Sequence, residues 1–180
     1  MDAFESLVAA ILVRRGYWVQ TCVKVELTKS EKVEIGRHSS PRWELDVVGY
    51  HGATNELLVM ECKSFLDSVG VYYEHVANQR EKSRYKLFTE PDLRRVVRGR
   101  LTRQLVTAGF CAPDPTVRLG MAAGRIRPSD VDAVRDHFKK NGWLLWDREF
   151  LATELTTLST TGYENSVAAV VSKILLRGKP

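Results

Sequence analysis

Hydrophobic positions recur along the chain first at helical spacing, then as alternating or unbroken apolar runs. Phe4, Leu7, Val8, Ile11 and Leu12 predict a helix, with Gly16 as its stop after Arg14 and Arg15. Tyr17 to Leu27 is rich in β-branched and aromatic residues and reads as a strand. The polar stretch 28–41, TKSEKVEIGRHSSP, reads as a loop. WELDVVGY (43–50) and ELLVMECK (56–63) are two further strands joined by the turn HGATN. Residues 64–89 show no clear period and fit short helical turns. A helix is expected from about 90 to 109, where Thr89 and Asp92 make a capping-box pattern and Pro91 sits in the first turn. PTVRLGMAAG (115–124) reads as a fourth strand, Ser129–Asn141 as a capped helix ended by Gly142, and WLLW as a short strand. Residues 148–158 and 163–176 read as two last helices.

This order predicts an α/β fold. Strands joined by a tight turn are antiparallel, whereas a strand-helix-strand link makes a parallel pair, so the central sheet is mixed and flanked by helices. Composition shifts near Gly124–Arg125. Residues 1–124 are expected to form a core, and 125–180 a mainly helical extension packed on it within one domain.

Composition narrows the classes. The chain has 180 residues, 44% hydrophobic and 27% charged, which suits one soluble domain. No apolar run reaches the roughly 20 residues of a membrane helix. The start, MDAFESLVAA, lacks a basic region and does not read as a signal peptide. Cys22, Cys62 and Cys111 are far apart and odd in number, which argues against a disulfide framework or a cysteine zinc site and for a reducing cytoplasmic compartment. A net charge of +5 permits a phosphate-bearing partner without requiring one.

The hairpin carries the candidate chemistry. If Tyr50 pairs with Leu57, Asp46 lies across from Glu61. Residues two apart share a strand face, so Lys63 joins them. Two close carboxylates need a cation between them, and hard oxygen donors suit Mg²⁺ or Mn²⁺. An adjacent ammonium can serve a water or a phosphate. Two readings are open at this point: a phosphodiester-cleaving metal site, or a cross-strand ion network in which Lys63 neutralises both acids.

LDVVGY followed by LLVMECK resembles the PD-(D/E)xK signature of the restriction endonuclease-like nucleases. The αβββαβ order through residue 124 is similar to that family's core. The resemblance implies that Asp46 and Glu61 bind Mg²⁺, with Mn²⁺ able to substitute. The backbone carbonyl of Cys62 would complete the shell and Lys63 would orient or activate water. Glu5, at the matching place on the first helix, would bind a second metal or a metal-bound water. The implied activity is a DNA endonuclease leaving a 5′-phosphate, in restriction, repair or junction processing. Its alternative is a nuclease fold used as a non-catalytic nucleic-acid-binding or assembly module. Leu45 stands where the family often has proline. The glutamine-tyrosine motif of the exonuclease branch does not fit, since Ser83 lies four residues after Gln79 and Tyr85 six.

Other features have two readings each. Arg94 and Arg98, one turn apart among Arg95, Arg100 and Arg103, make a stripe that could follow a DNA backbone or simply face solvent. Residues 71–86 mix aromatics and basic groups, as a nucleic-acid contact or a packed lid. The four histidines read as surface or loop residues, and Trp18, Trp43, Trp143 and Trp146 as core. The last helix places Tyr163, Val167, Val170, Val171 and Ile174 on one face, expected to pack on the core, with a homodimer interface as the alternative.

Overall fold

Apolar strands with two covered faces dominate the architecture. The computed structural model describes residues 2–38, 43–77, 85–164 and 166–177. Its elements are α1 (Ala3–Arg14), β1 (Trp18–Val25), α2 (Lys29–Glu34), β2 (Trp43–His51), β3 (Glu56–Lys63), α3 (Tyr73–Val76), α4 (Lys86–Thr89), α5 (Pro91–Thr107), β4 (Thr116–Ala123), α6 (Val131–Lys140), β5 (Leu144–Trp146), α7 (Arg148–Thr160) and α8 (Val167–Leu176). The strands form one open sheet in the order β1-β2-β3-β4-β5. The first two pairings are antiparallel and the last two parallel. The expected α/β class and mixed sheet are therefore present. No helix among the described residues is long and apolar enough to cross a membrane.

Alternation along β3 divides the core as the strand period requires. Leu57 and Val59 join one layer with Leu93, Val97 and Leu101 of α5 and Phe138 of α6. Leu58, Met60 and Cys62 join the other with Val8, Ile11 and Leu12 of α1. On β1 and β2 this alternation inverts part-way. Val47 belongs to the α1 layer but Leu45 to the α5 layer, and Val19 and Val23 divide in the same way. The inversion falls at Cys22 and Asp46, the one pair skipped in an otherwise continuous β1–β2 register. Cys22 has φ 53°, a conformation that a residue with a Cβ seldom adopts.

Several local expectations change. Residues 29–34 are a helix, because Thr28 and Glu31 close a reciprocal capping box that the polar composition hid. The Thr89–Asp92 box does not form: the Thr89 hydroxyl donates to the Tyr85 carbonyl, and α5 starts at Pro91 without a side-chain cap. Trp18 is 83% exposed on the edge strand, not core. His137 is no surface residue, since it packs among Tyr73, Phe138 and Trp143. The large side chains of α8 point outward, while Ala169 and Ser172 are buried. Residues 39–41 of the expected loop, and 78–84 of the aromatic and basic segment, lie outside the described residues.

Beyond β4 the chain folds back tightly on the end of β3. The Gly124 amide donates to the Lys63 carbonyl, and Val71 bridges Ile126. A Cβ on Gly124 would collide with the Ser64 carbonyl oxygen, a backbone atom that cannot swing aside. Gly124→Ala should therefore destabilise by about 1–3 kcal/mol. Gly99→Ala, in α5 with open space around it, should be neutral or stabilising by up to about 1 kcal/mol. Chemical denaturation of the two variants checks the contrast; equal effects would mean that the Gly124 contact is soft.

Candidate active site

Hairpin register brings the three sequence-selected groups together. Tyr50 pairs with Leu57, as the turn length implies, and the β2–β3 ladder runs to Val47–Met60. It stops one pair short of Asp46 and Glu61. Asp46 thus has a ladder partner on neither neighbouring strand. Its side chain takes over: Oδ2 accepts the Cys62 amide N–H at 2.7 Å. This bond turns the carboxylate along the end of β3, toward the same space as Glu61 and Lys63. The Lys63 ammonium lies 2.7 Å from Glu61 Oε1 and 3.6 Å from Asp46 Oδ2. One cation is shared by two carboxylates, with side chains 20% to 24% exposed.

Burial and neighbouring charge shift these groups in one direction. Glu61 is raised above the ordinary carboxylate range, first by burial and then by the charges of Asp46 and Glu5, with Lys63 opposing. For Lys63, burial alone would lower the ammonium, but Glu61 and Asp46 outweigh it and hold the pKa above its usual value. The Cys62 thiol is pushed up by burial and by the surrounding carboxylates, so it stays protonated and unreactive.

Glu5 comes to the same end of the sheet from α1. Its carboxylate closes the capping box with the Asp2 amide, at 3.2 Å, and lies 3.8 Å from Cys22 Sγ. Arg94 and Arg98 are placed elsewhere. Arg94 donates to the carbonyls of Leu87 and Phe88 and lies over the Trp143 ring, and Arg98 donates to the Val117 carbonyl, at the opposite end of β4 from Gly124. Arg103 and Arg95 pair with Glu31 and Glu34 of α2. Sequence reasoning weighed Tyr85 only against the exonuclease motif and missed that this buried residue acts electrostatically on Lys63. It also passed over Arg125 and Arg148. These exposed arginines line a groove of about 520 Å³ at the carboxyl ends of β4 and β5. Neither has an ion-pair partner among the described residues. The strand ends themselves were the available signal, since open sheets bind ligands outside the carboxyl ends of their parallel strands.

The donor chemistry fits a hard divalent cation in one respect: Asp46 and Glu61 offer oxygens around a position already held by a positive charge. Among the described residues, however, no three His, Cys, Asp or Glu side chains converge as a metal-holding group. Asp46 and Glu61 are the two that would hold the ion. No protein-family model matches this chain, and no curated protein or solved structure matches it either.

Glu61 also sets a pH dependence. A group whose pKa is raised by folding supports the folded state below its unfolded value and loses that support as pH rises through the folded value. Wild type should thus lose stability relative to Glu61→Gln as pH climbs from below the ordinary carboxyl value of 4.5 to neutral. Lys63 remains charged throughout, so its lost partner adds a constant offset. Thermal melts of both proteins across this range test the sign; a gap that narrows in the variant's disfavour as pH rises would show that Glu61 is ionised without cost.

Proposed function

We propose that this protein is a divalent-metal-dependent DNA endonuclease built on a restriction endonuclease-like αβββαβ core. The observation that carries the reading is the Lys63 ammonium shared by Asp46 and Glu61 at the point where the β2–β3 ladder lapses. A structural ion network alone would not need Asp46 left without a ladder partner on both neighbouring strands.

Each residue has a distinct part. Asp46 and Glu61 would hold Mg²⁺, or Mn²⁺ in its place, with the Cys62 carbonyl as a further donor. A bound ion would supply Lewis-acid charge to a phosphoryl oxygen and acidify water. Lys63 stays protonated between two acids, so it donates hydrogen bonds to the attacking water or to a phosphate oxygen and does not abstract a proton. Glu5 adds negative charge at the rim and assists without being indispensable. Arg94 and Arg98 are engaged inside the fold, so first contact with the DNA backbone falls instead to Arg125 and Arg148.

Supercoiled plasmid incubated with Mg²⁺, Mn²⁺ or EDTA tests the reaction. Cleavage should require the metal. Lys63→Ala and Glu61→Gln should each lower it by about 10²-fold or more while leaving DNA affinity within a few-fold. Glu5→Gln should retain activity but demand more Mg²⁺. Arg125→Ala with Arg148→Ala should weaken binding and flatten its salt dependence, because phosphate contacts release counterions. Binding without metal-dependent cleavage would favour the non-catalytic module, and near-normal turnover by Lys63→Ala would remove it from the site.

A further inference from the structure

Helix α8 is amphipathic the wrong way round for a helix that merely covers a core. Its buried residues are Ala169 and Ser172, and the Ser172 hydroxyl is buried without a hydrogen-bond partner. Its large side chains face solvent: Val167 is 82% exposed and Ile174 74%, with Val170, Val171 and Leu175 also open. A helix normally buries its bulkiest apolar residues. Here α8 uses its small residues to lie close against α7 and leaves the bulky ones for something else. The patch extends along a groove of about 640 Å³ between α8 and α1, whose walls include Leu7, Ala10, Val171 and Leu175. Single exposed hydrophobics need no explanation, but a contiguous patch of this kind marks an interaction surface.

We infer that α8 is the contact helix of a twofold homodimer, packed antiparallel against α8 of a second copy. Three features point to a second copy as the occupant. Val167, Val170 and Ile174 follow the three-then-four spacing of a helix–helix seam, with Val171 beside it. A twofold axis between Val170 and Val171 sets Val167 against Ile174 of the second copy, so a single stripe is complementary to itself, as an isologous contact requires. Charge agrees with the same axis. Glu164 precedes the helix and Arg177 follows it, so the antiparallel arrangement brings each Glu164 toward Arg177 of the other copy. Finally, Val167, Val170, Val171, Ile174 and Leu175 are all exposed, so the apolar surface of α8 is concentrated on the side through which this axis passes.

Sedimentation velocity over roughly 1–100 µM protein, a range that brackets micromolar association, tests this without any cleavage readout. Wild type should show a concentration-dependent monomer–dimer equilibrium. Val167→Glu with Ile174→Glu should be monomeric throughout, with an unchanged circular dichroism spectrum because both side chains are exposed. Glu164→Arg should weaken the dimer about tenfold, and Glu164→Arg with Arg177→Glu should restore it, since the swap exchanges charges across the same axis. A monomeric wild type, or a Val167→Glu/Ile174→Glu variant that dimerises normally, overturns the inference. So does a monomer that binds anionic phospholipid vesicles through this patch. Failure of the charge swap to restore the dimer overturns the antiparallel register.

Discussion

The hydrogen bond from the Cys62 amide to the Asp46 carboxylate is the constraint on which the candidate site depends. A regular antiparallel ladder would continue past Val47 and Met60 and satisfy that amide from the β2 backbone. At Asp46 the backbone leaves both ladders, and a side-chain oxygen substitutes. A buried amide left unpaired would cost about 1–3 kcal/mol, so the substitution is structural as well as chemical. It also orients one carboxylate beside Glu61, and the two negative charges can persist there only because Lys63 stands between them. Strand pairing, amide satisfaction and charge balance thus meet in three side chains.

The inversion of β1 and β2 at Cys22 and Asp46 extends this constraint across the sheet. Because both strands change face at the same place, their register survives, and Val23, Val25 and Leu45 bend toward the α5 layer. The arginines of α5 then secure this part of the fold. Arg100 donates to the Glu26 carbonyl and Arg103 pairs with Glu31, so α5, the end of β1 and α2 are held together. A stripe of positive charge that the sequence leaves open to a DNA backbone or to solvent is used to fasten neighbouring elements. Arg125, just after β4, and Arg148, at the start of α7 after β5, have no ion-pair partner among the described residues and sit where a parallel sheet opens.

Charge carries the candidate active site and apolar surface carries the proposed dimer contact, and the two lie on separate elements. The site is assembled from β2, β3 and the N-terminal part of α1. The contact helix α8 rests on α7. A second copy bound along α8 would place two carboxylate clusters in one particle without rebuilding either.

Much of the local structure was legible in the residues themselves. The unbroken apolar run of β3 required cover on both faces, and the five-residue turn set Tyr50 against Leu57, which brought Asp46, Glu61 and Lys63 to one strand end. These features depend on neighbours in sequence and on the two-residue strand period, so the chain alone determined them. The capping box of Thr28 and Glu31 was equally local, but it was hidden in a stretch that reads as polar loop. What only the tertiary structure decided depends on groups far apart in the chain. Arg98 reaches Val117, Trp18 falls on an uncovered edge, and Glu5 approaches Cys22 across 17 positions. The face that α8 presents belongs here too: its periodicity marks an apolar stripe, but periodicity cannot say which side of a helix meets the core when both sides are apolar and only their size differs. Packing against α7 chose the small side, because small residues let the helices approach, and so left the large one open.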